Sequence, residues 1–338
     1  MRRKVRYRDH LQWMLSQRRE LEKILQLAGH EKHVVDQSDK CGDHCLVLPN
    51  CGPRVSSANV GLFKYRISLQ ANVYAGKLYH LSLLLPNLTT GANFGITSAL
   101  TGLARMIQLG EVTPTTRTYW RGFDGGSEND NKWGLAFNST LVGPTVRRFD
   151  VVQQHRLPPD HSHHYLTDGT FSVIEEWLTG AGFAGCATLG DLLAYLLKKF
   201  ERATNFKNKR VEIKILVANF AFKKWFEGHL NHSHLSRIGD PLVWRHTWVA
   251  EESRVRVQYK YSLTDHDTFQ RSEWGPWVEE EQAITDENGH ATTPTKSPIY
   301  HTMCTNSTYH HHTCHMLSRA EPHSSCTHVD SLFATIHS

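Results

Sequence analysis

The chain has 338 residues, enough for one large domain or two ordinary ones, and its 38 lysines and arginines outweigh 33 acids to give a net charge of +5. No apolar run approaches the roughly 18–20 residues of a membrane span, and the N-terminal stretch lacks the apolar core of a secretory leader. These features predict an intracellular protein, nuclear if its source is eukaryotic, with no membrane partner. Seven cysteines at irregular spacing, odd in number, exclude a disulfide framework.

In chain order, residues 4–28 space Leu11, Met14, Leu21, Ile24, Leu25 and Leu27 as a helix does, with Gly29 as a stop. Arg2, Arg3, Lys4, Arg6 and Arg8 make the start of this helix basic, which suits a polyanion or a solvated face. Residues 33–36 read as a short strand ending in an acid, and the Gly-, Cys-, Pro- and Asn-rich residues 40–60 as a loop. Residues 62–74 and 77–85 form a hairpin by sequence, and 92–109 a helix closed by Gly110. A strand over 116–123, a helix over 131–141, a strand over 149–157 and a helix over 166–178 follow.

Strand, hairpin, then alternating helix and strand imply a mixed sheet flanked by helices, in the order expected of an RNase H-like α/β fold. Beyond it come a helix over 188–200, a strand over 211–217, a short helix near 222–226 and strands over 242–249 and 254–263, in an aromatic-rich region. The division expected is a basic helix at 1–29, an RNase H-like domain at 30–182 and an α+β extension at 183–281. The His-, Ser- and Thr-rich residues 282–338 have lost apolar periodicity and read as a disordered tail.

Acids fall at related positions. Asp36 or Asp39 follows the first strand, Asp124 with Gly125 and Gly126 follows the fourth, and Asp168 opens the helix after the fifth. With the first and fourth strands adjacent, these carboxylates converge on one place, where oxygen ligands suit Mg²⁺ and two ions would support in-line phosphoryl displacement. Singly, each acid also reads as a turn or helix-start residue. His161 and His163, ahead of Asp168, are candidates for metal ligation, phosphate contact or proton transfer. Cys41, Cys45 and Cys51 with His44 lack the second hook of a structural zinc site, and the histidines near His310 belong to the tail.

Read together, these blocks resemble a transposon-associated family whose core is similar to DDE-type transposases and integrases. The blocks are Asp36-Gln37-Ser38-Asp39-Lys40 with Leu48-Pro49, then Gly91-Ala92-Asn93, then Asp124 through Lys132. The last is Leu157-Pro158-Pro159-Asp160-His161-Ser162-His163 leading to Asp168. The family patterns are "DGMDQ…LP", "GAN", "LDGGxENKNK" and "LPxGHTHEDIDQxFS", and the likeness covers residues 5–278. The resemblance implies a metal-dependent polynucleotidyl transferase or nuclease acting on DNA, with Mg²⁺ or Mn²⁺ held by Asp36 or Asp39 on the first strand, by Asp124 and by Asp168. It implies Glu128, Asn129, His161 and His163 as auxiliary groups, phosphate contacts from Lys40, Lys132, Arg3, Arg6 and Arg8, and a homo-oligomer. Departures from the pattern favour an alternative, a catalytically inactive nucleic-acid- or protein-binding protein that keeps the fold. Asp130 stands where the family has lysine, Asp160 where it has glycine, and the His161–Asp168 block carries one extra residue.

Overall fold

The computed structural model describes residues 2–41, 46–48, 65–86, 88, 90–123, 132–143, 146–156, 166–179, 183, 186–223, 242–252, 254–260 and 262–263, with backbone alone for 2–10 and 254. The expected tail at 282–338, and the short helix expected near 222–226 beyond Lys223, lie outside the described residues. The helices are α1 (Arg2–Gln26), α2 (Ala92–Gln108), α3 (Lys132–Val142), α4 (Thr167–Thr179) and α5 (Leu189–Arg202). The strands are β1 (His33–Lys40), β2 (Val47–Leu48), β3 (Tyr65–Arg66), β4 (Ser68–Tyr74), β5 (Leu78–Leu84), β6 (Thr118–Phe123), β7 (Val151–Arg156), β8 (Arg210–Leu216), β9 (Val243–Val249) and β10 (Arg254–Lys260).

Eight strands form one mixed sheet in the order β10-β9-β7-β6-β1-β4-β5-β8, and β2 pairs with β3 separately. β1, β6 and β7 are parallel, with β6 reached through α2 and β7 through α3, whereas β4 runs antiparallel to both β1 and β5. The strands of residues 183–281 do not build a sheet of their own. β8 adds in parallel to β5 at one edge, and β9 with β10 adds antiparallel to β7 at the other. Trp244, Val255 and Val257 complete the same core as α2 and α3, so burial of apolar area holds this region to the sheet.

Period-two alternation distributes the two cores. Val34, Tyr74, Leu78, Tyr119 and Val152 face α2 and α3, while Leu69, Ala71, Val73, Leu81 and Leu83 face α4 and α5. α1 lies on the α4 side, where Ile24 packs with Val35, Leu242 and Leu263. Gln17 fixes it there, donating from Nε2 to Ser262 Oγ at 2.8 Å and accepting the Leu263 N–H at 2.6 Å. The start of α5 is set by Thr188, whose hydroxyl accepts the Asp191 N–H at 3.1 Å while the Asp191 carboxylate accepts the Thr188 N–H at 2.8 Å.

β1 departs most from expectation. The sequence places its end at Asp36, yet it continues through Gln37, Ser38, Asp39 and Lys40, paired along this length with β4 and through Ser38 with β6. Pairing with neighbours overrides the low strand propensity of these polar residues. Asp36 is consequently an interior residue of a central strand. Among the described residues, no helix is long and apolar enough to cross a membrane.

α2 lies close to the sheet at Gly102, where an added Cβ would sit 2.9 Å from the Tyr74 hydroxyl and 3.2 Å from His80 Cδ2. Tyr74 is fully buried and its hydroxyl donates to the Ala99 carbonyl at 3.3 Å, so it cannot swing aside. Gly102→Ala gains up to about 1 kcal/mol of helix propensity but overpacks this contact at a cost of about 1–3 kcal/mol. The expected result is a lower urea midpoint; an unchanged or higher midpoint would show that α2 is not held this tightly.

Candidate active site

The face of β1 that looks toward α2 and α3 carries Asp36, fully buried. Its Oδ2 accepts the Tyr119 hydroxyl at 2.8 Å and the Ser38 hydroxyl at 3.3 Å. Asn72 donates from Nδ2 to Ser38 Oγ, Ser98 donates to Asn72 Oδ1 at 2.6 Å, and Ser98 Oγ lies 2.8 Å from Ser82 Oγ. Across the sheet in the other direction, Arg121 is the β6 residue in register with Asp36. Its guanidinium donates to Asn138 Oδ1 at 2.7 Å and lies over the Phe137 ring, and Asn138 donates in turn to Gln154. These are two hydrogen-bonded groups joined by the charge of Arg121 beside Asp36, and together they tie β5, β4, β1, β6 and β7 to α2 and α3 inside the core.

Burial pushes the Asp36 carboxyl up to about 6, opposed only in part by Arg121, Tyr119, Ser38 and Asn72. His80 and His246, also buried, are pushed down to about 3 and are neutral at pH 7. One carboxylate oxygen of Asp36, Oδ1, has no hydrogen-bond partner among the described residues. A catalytic cation, however, needs an approach for itself and its substrate, and Asp36 offers no exposure while Arg121 already places a positive charge beside it. The surroundings of Asp36 therefore place its carboxyl in the core network, beside a guanidinium and away from solvent.

Asp39 lies three residues on and so points to the other face, with Val35 and Gln37. It is half-buried, and its Oδ1 accepts the Lys40 N–H at 2.7 Å. Gln37 is fully buried; its Oε1 accepts the Leu166 N–H at 3.0 Å and so fixes the entry to α4 against β1. Asp168, half-buried in the first turn of α4, is thus on the Asp39 side of the sheet and not on the Asp36 side. On β6, Phe123 pairs with Ser38, which brings the last described residue of that strand level with this end of β1. Lys40 closes β1, and Lys132 opens α3 with its amine 4.6 Å from the centre of the Trp133 ring.

Asp124, Glu128, Asn129, His161 and His163 lie outside the described residues, as do Cys45 and Cys51 and the side chains of Arg3, Arg6 and Arg8. Cys41 is buried. Among the described residues, no three His, Cys, Asp or Glu side chains group as a metal site.

Sequence reasoning missed the row formed by Gln37, Gly122 and His155, which are in register on β1, β6 and β7. All three share the Asp39 face. A Cβ at Gly122 would stand 2.7 Å from His155 Nε2, so glycine makes room for the buried imidazole to lean across β6. The available signal was the run of polar residues from Asp36 to Lys40, which a central strand tolerates only when both faces have partners.

The chain matches no family model, no curated protein and no solved structure in comparisons with known proteins.

The raised Asp36 value gives a pH test. The folded state keeps its proton up to about pH 6, whereas an unfolded Asp loses it near 4, so the Asp36 contribution is complete below about pH 4 and lost as pH rises through 6. His80 and His246 act in the opposite sense, so the informative quantity is the difference between wild type and Asp36→Asn. In urea unfolding, the stability of wild type relative to this variant should fall by roughly 2 kcal/mol between pH 4 and 7.5. A pH-independent difference would contradict the buried-carboxyl assignment.

Proposed function

We propose that this chain is an RNase H-like domain related to DDE-type transposases, performing metal-dependent phosphoryl transfer or hydrolysis on DNA. The site lies at the carboxyl ends of β1 and β6. The observation that carries the reading is the central strand order β5-β4-β1-β6-β7 with only β4 reversed, the topology on which such acids meet. Asp39 near the end of β1, Asp124 one peptide bond beyond Phe123, and Asp168 in the first turn of α4 are the ligands we assign. Ligands at the carboxyl end of parallel strands follow the general rule for open α/β sheets.

Mg²⁺ or Mn²⁺ held there would activate water or a DNA 3′-hydroxyl and stabilise the leaving oxygen. The chain's own residues prepare the place. The Lys40 N–H orients Asp39, and Gln37 anchors Leu166, so the α4 N-terminus with its partial positive charge is kept beside β1. Lys40 and Lys132 supply cations for phosphate, and the arginines at the start of α1 extend the contact, fixing position without reading sequence. Nuclear residence and self-association are parts of the same proposal.

A second reading keeps the fold and DNA binding but not catalysis. It is favoured by the internal use of Asp36 and by Asp130 where the related pattern has lysine. Strand cleavage in Mg²⁺ or Mn²⁺ decides between the two. Even second-shell partners of a metal are worth about 10–100-fold, so Asp39→Asn and Asp124→Asn should each lose at least 100-fold, with unchanged thermal unfolding. Asp36→Asn should keep activity within about 10-fold, the lower end of that range. Cleavage by Asp124→Asn equal to wild type removes the catalytic reading; no cleavage by any protein, with DNA binding intact, establishes the second.

A further inference from the structure

We propose that the edge of the sheet formed by α5, the turn after it and β8 is a second nucleic-acid surface that holds duplex backbone away from the acidic site. Lys198, Arg202, Lys207, Lys209, Arg210 and Lys214 are all exposed, and Lys199 beside them is half-exposed. Within residues 198–214 only Glu201 and Glu212 carry the opposite charge. Glu212 is already committed, since Arg105 donates to it from Nε at 2.8 and 2.9 Å. None of the seven cations is ion-paired among the described residues.

The cations are held in place by the fold. α5 buries Leu189, Leu192, Leu196 and Phe200, which turns Lys198 and Arg202, four residues apart, outward. The turn that follows is tight, with Asn208 at φ 99°, a conformation that asparagine tolerates. Lys209 lies over the Tyr79 and Phe206 rings at 5.2 and 5.3 Å, which restrains its amine at the edge. Along β8, Val211, Ile213 and Ile215 face α5, leaving Arg210 and Lys214 on the opposite face beside α2. Arg210 to Lys214 spans roughly 13 Å of strand and Lys198 to Arg202 roughly 6 Å of helix, against one charge per roughly 1.7 Å along duplex DNA. Several phosphates fit on such a surface.

An anionic membrane is the less suitable polyanion. A helix lying on lipid presents its apolar face outward, whereas the apolar face of α5 is buried, and among the described residues the large apolar side chains exposed near the cations are the scattered Leu197 on α5 and Val217 just past β8. The two places are also distinct across the sheet. β8 lies three strands from β1, roughly 14 Å at the usual strand spacing, with Arg210 level with Asp36 and Lys214 level with Lys40, so the basic edge and the acidic site contact separate stretches of one bound duplex. The inference rests on the nucleic-acid part of the proposed function and not on its metal chemistry.

The test is binding of a 30-base-pair duplex by the full chain in EDTA across a salt series, alongside cleavage at saturating duplex with Mg²⁺. The variant is Lys207→Gln/Lys209→Gln/Arg210→Gln. A control, Lys32→Gln/Arg117→Gln/Arg147→Gln, removes the same charge elsewhere. For three lost contacts the slope of log affinity against log salt should shrink by about 2.7, with affinity at least 10-fold lower near 0.1 M salt. The control should stay near wild type, and cleavage at saturation should be unchanged. Wild-type affinity and slope in the basic-edge variant, or equal losses in the control, would overturn the proposal. So would binding to phosphatidylserine vesicles with none to duplex. Asp124→Asn separates the two claims: loss of cleavage with normal binding leaves this surface standing, and absence of all cleavage does not touch it.

Discussion

A central strand must satisfy both of its faces, and in this protein β1 does so with polar side chains. Asp36 and Ser38 enter a hydrogen-bond network under α2 and α3; Gln37 and Asp39 face α1 and α4. The rest of the arrangement depends on that division. Tyr119, Arg121, Asn72, Asn138 and Gln154 are buried because Asp36 and each other's polar groups must be satisfied, and an unpaired buried polar group costs more than a pair gains. The anchoring of α4 through Leu166 depends on Gln37, one residue out of phase with Asp36.

This division gives neighbouring acids different physical roles. Asp36 is deep, raised toward neutrality by burial, and bonded to a tyrosine hydroxyl. Asp39 is partly exposed, near the strand's carboxyl end, on the side where Asp168 opens α4. A metal-dependent site needs charged oxygens that water and substrate can reach, and of these two acids Asp39 is the one with exposure. The basic edge proposed at α5 and β8, three strands across the sheet from β1, would add a long-range attraction for a polyanion.

The order of elements was legible because α2, α3, α4 and α5 carry helical periodicity and the hairpin of β4 and β5 has a Gly turn. The length of β1 was not. Gln-Ser-Asp-Lys has poor strand propensity, and it is extended only because β4 and β6 flank it, which no local pattern reveals. With the strand expected to end at Asp36, that acid looked terminal and Asp39 looked like its equivalent. Once the strand includes both, an odd separation puts them on opposite faces. The Gln37, Gly122 and His155 row was hidden for the same reason, since it exists only through register between three strands. The basic edge was illegible because its charges divide between a helix, a turn and a strand. The joining of β8, β9 and β10 to the same sheet is likewise a matter of long-range pairing.

The division between the faces of β1 is most directly tested by Mn²⁺ binding, measured by electron paramagnetic resonance on wild type, Asp36→Asn and Asp39→Asn at pH 7.5. The account predicts wild-type affinity for Asp36→Asn and at least a 10-fold loss for Asp39→Asn, with both variants folded by circular dichroism. Loss of Mn²⁺ binding in folded Asp36→Asn, with Asp39→Asn unaffected, would contradict it.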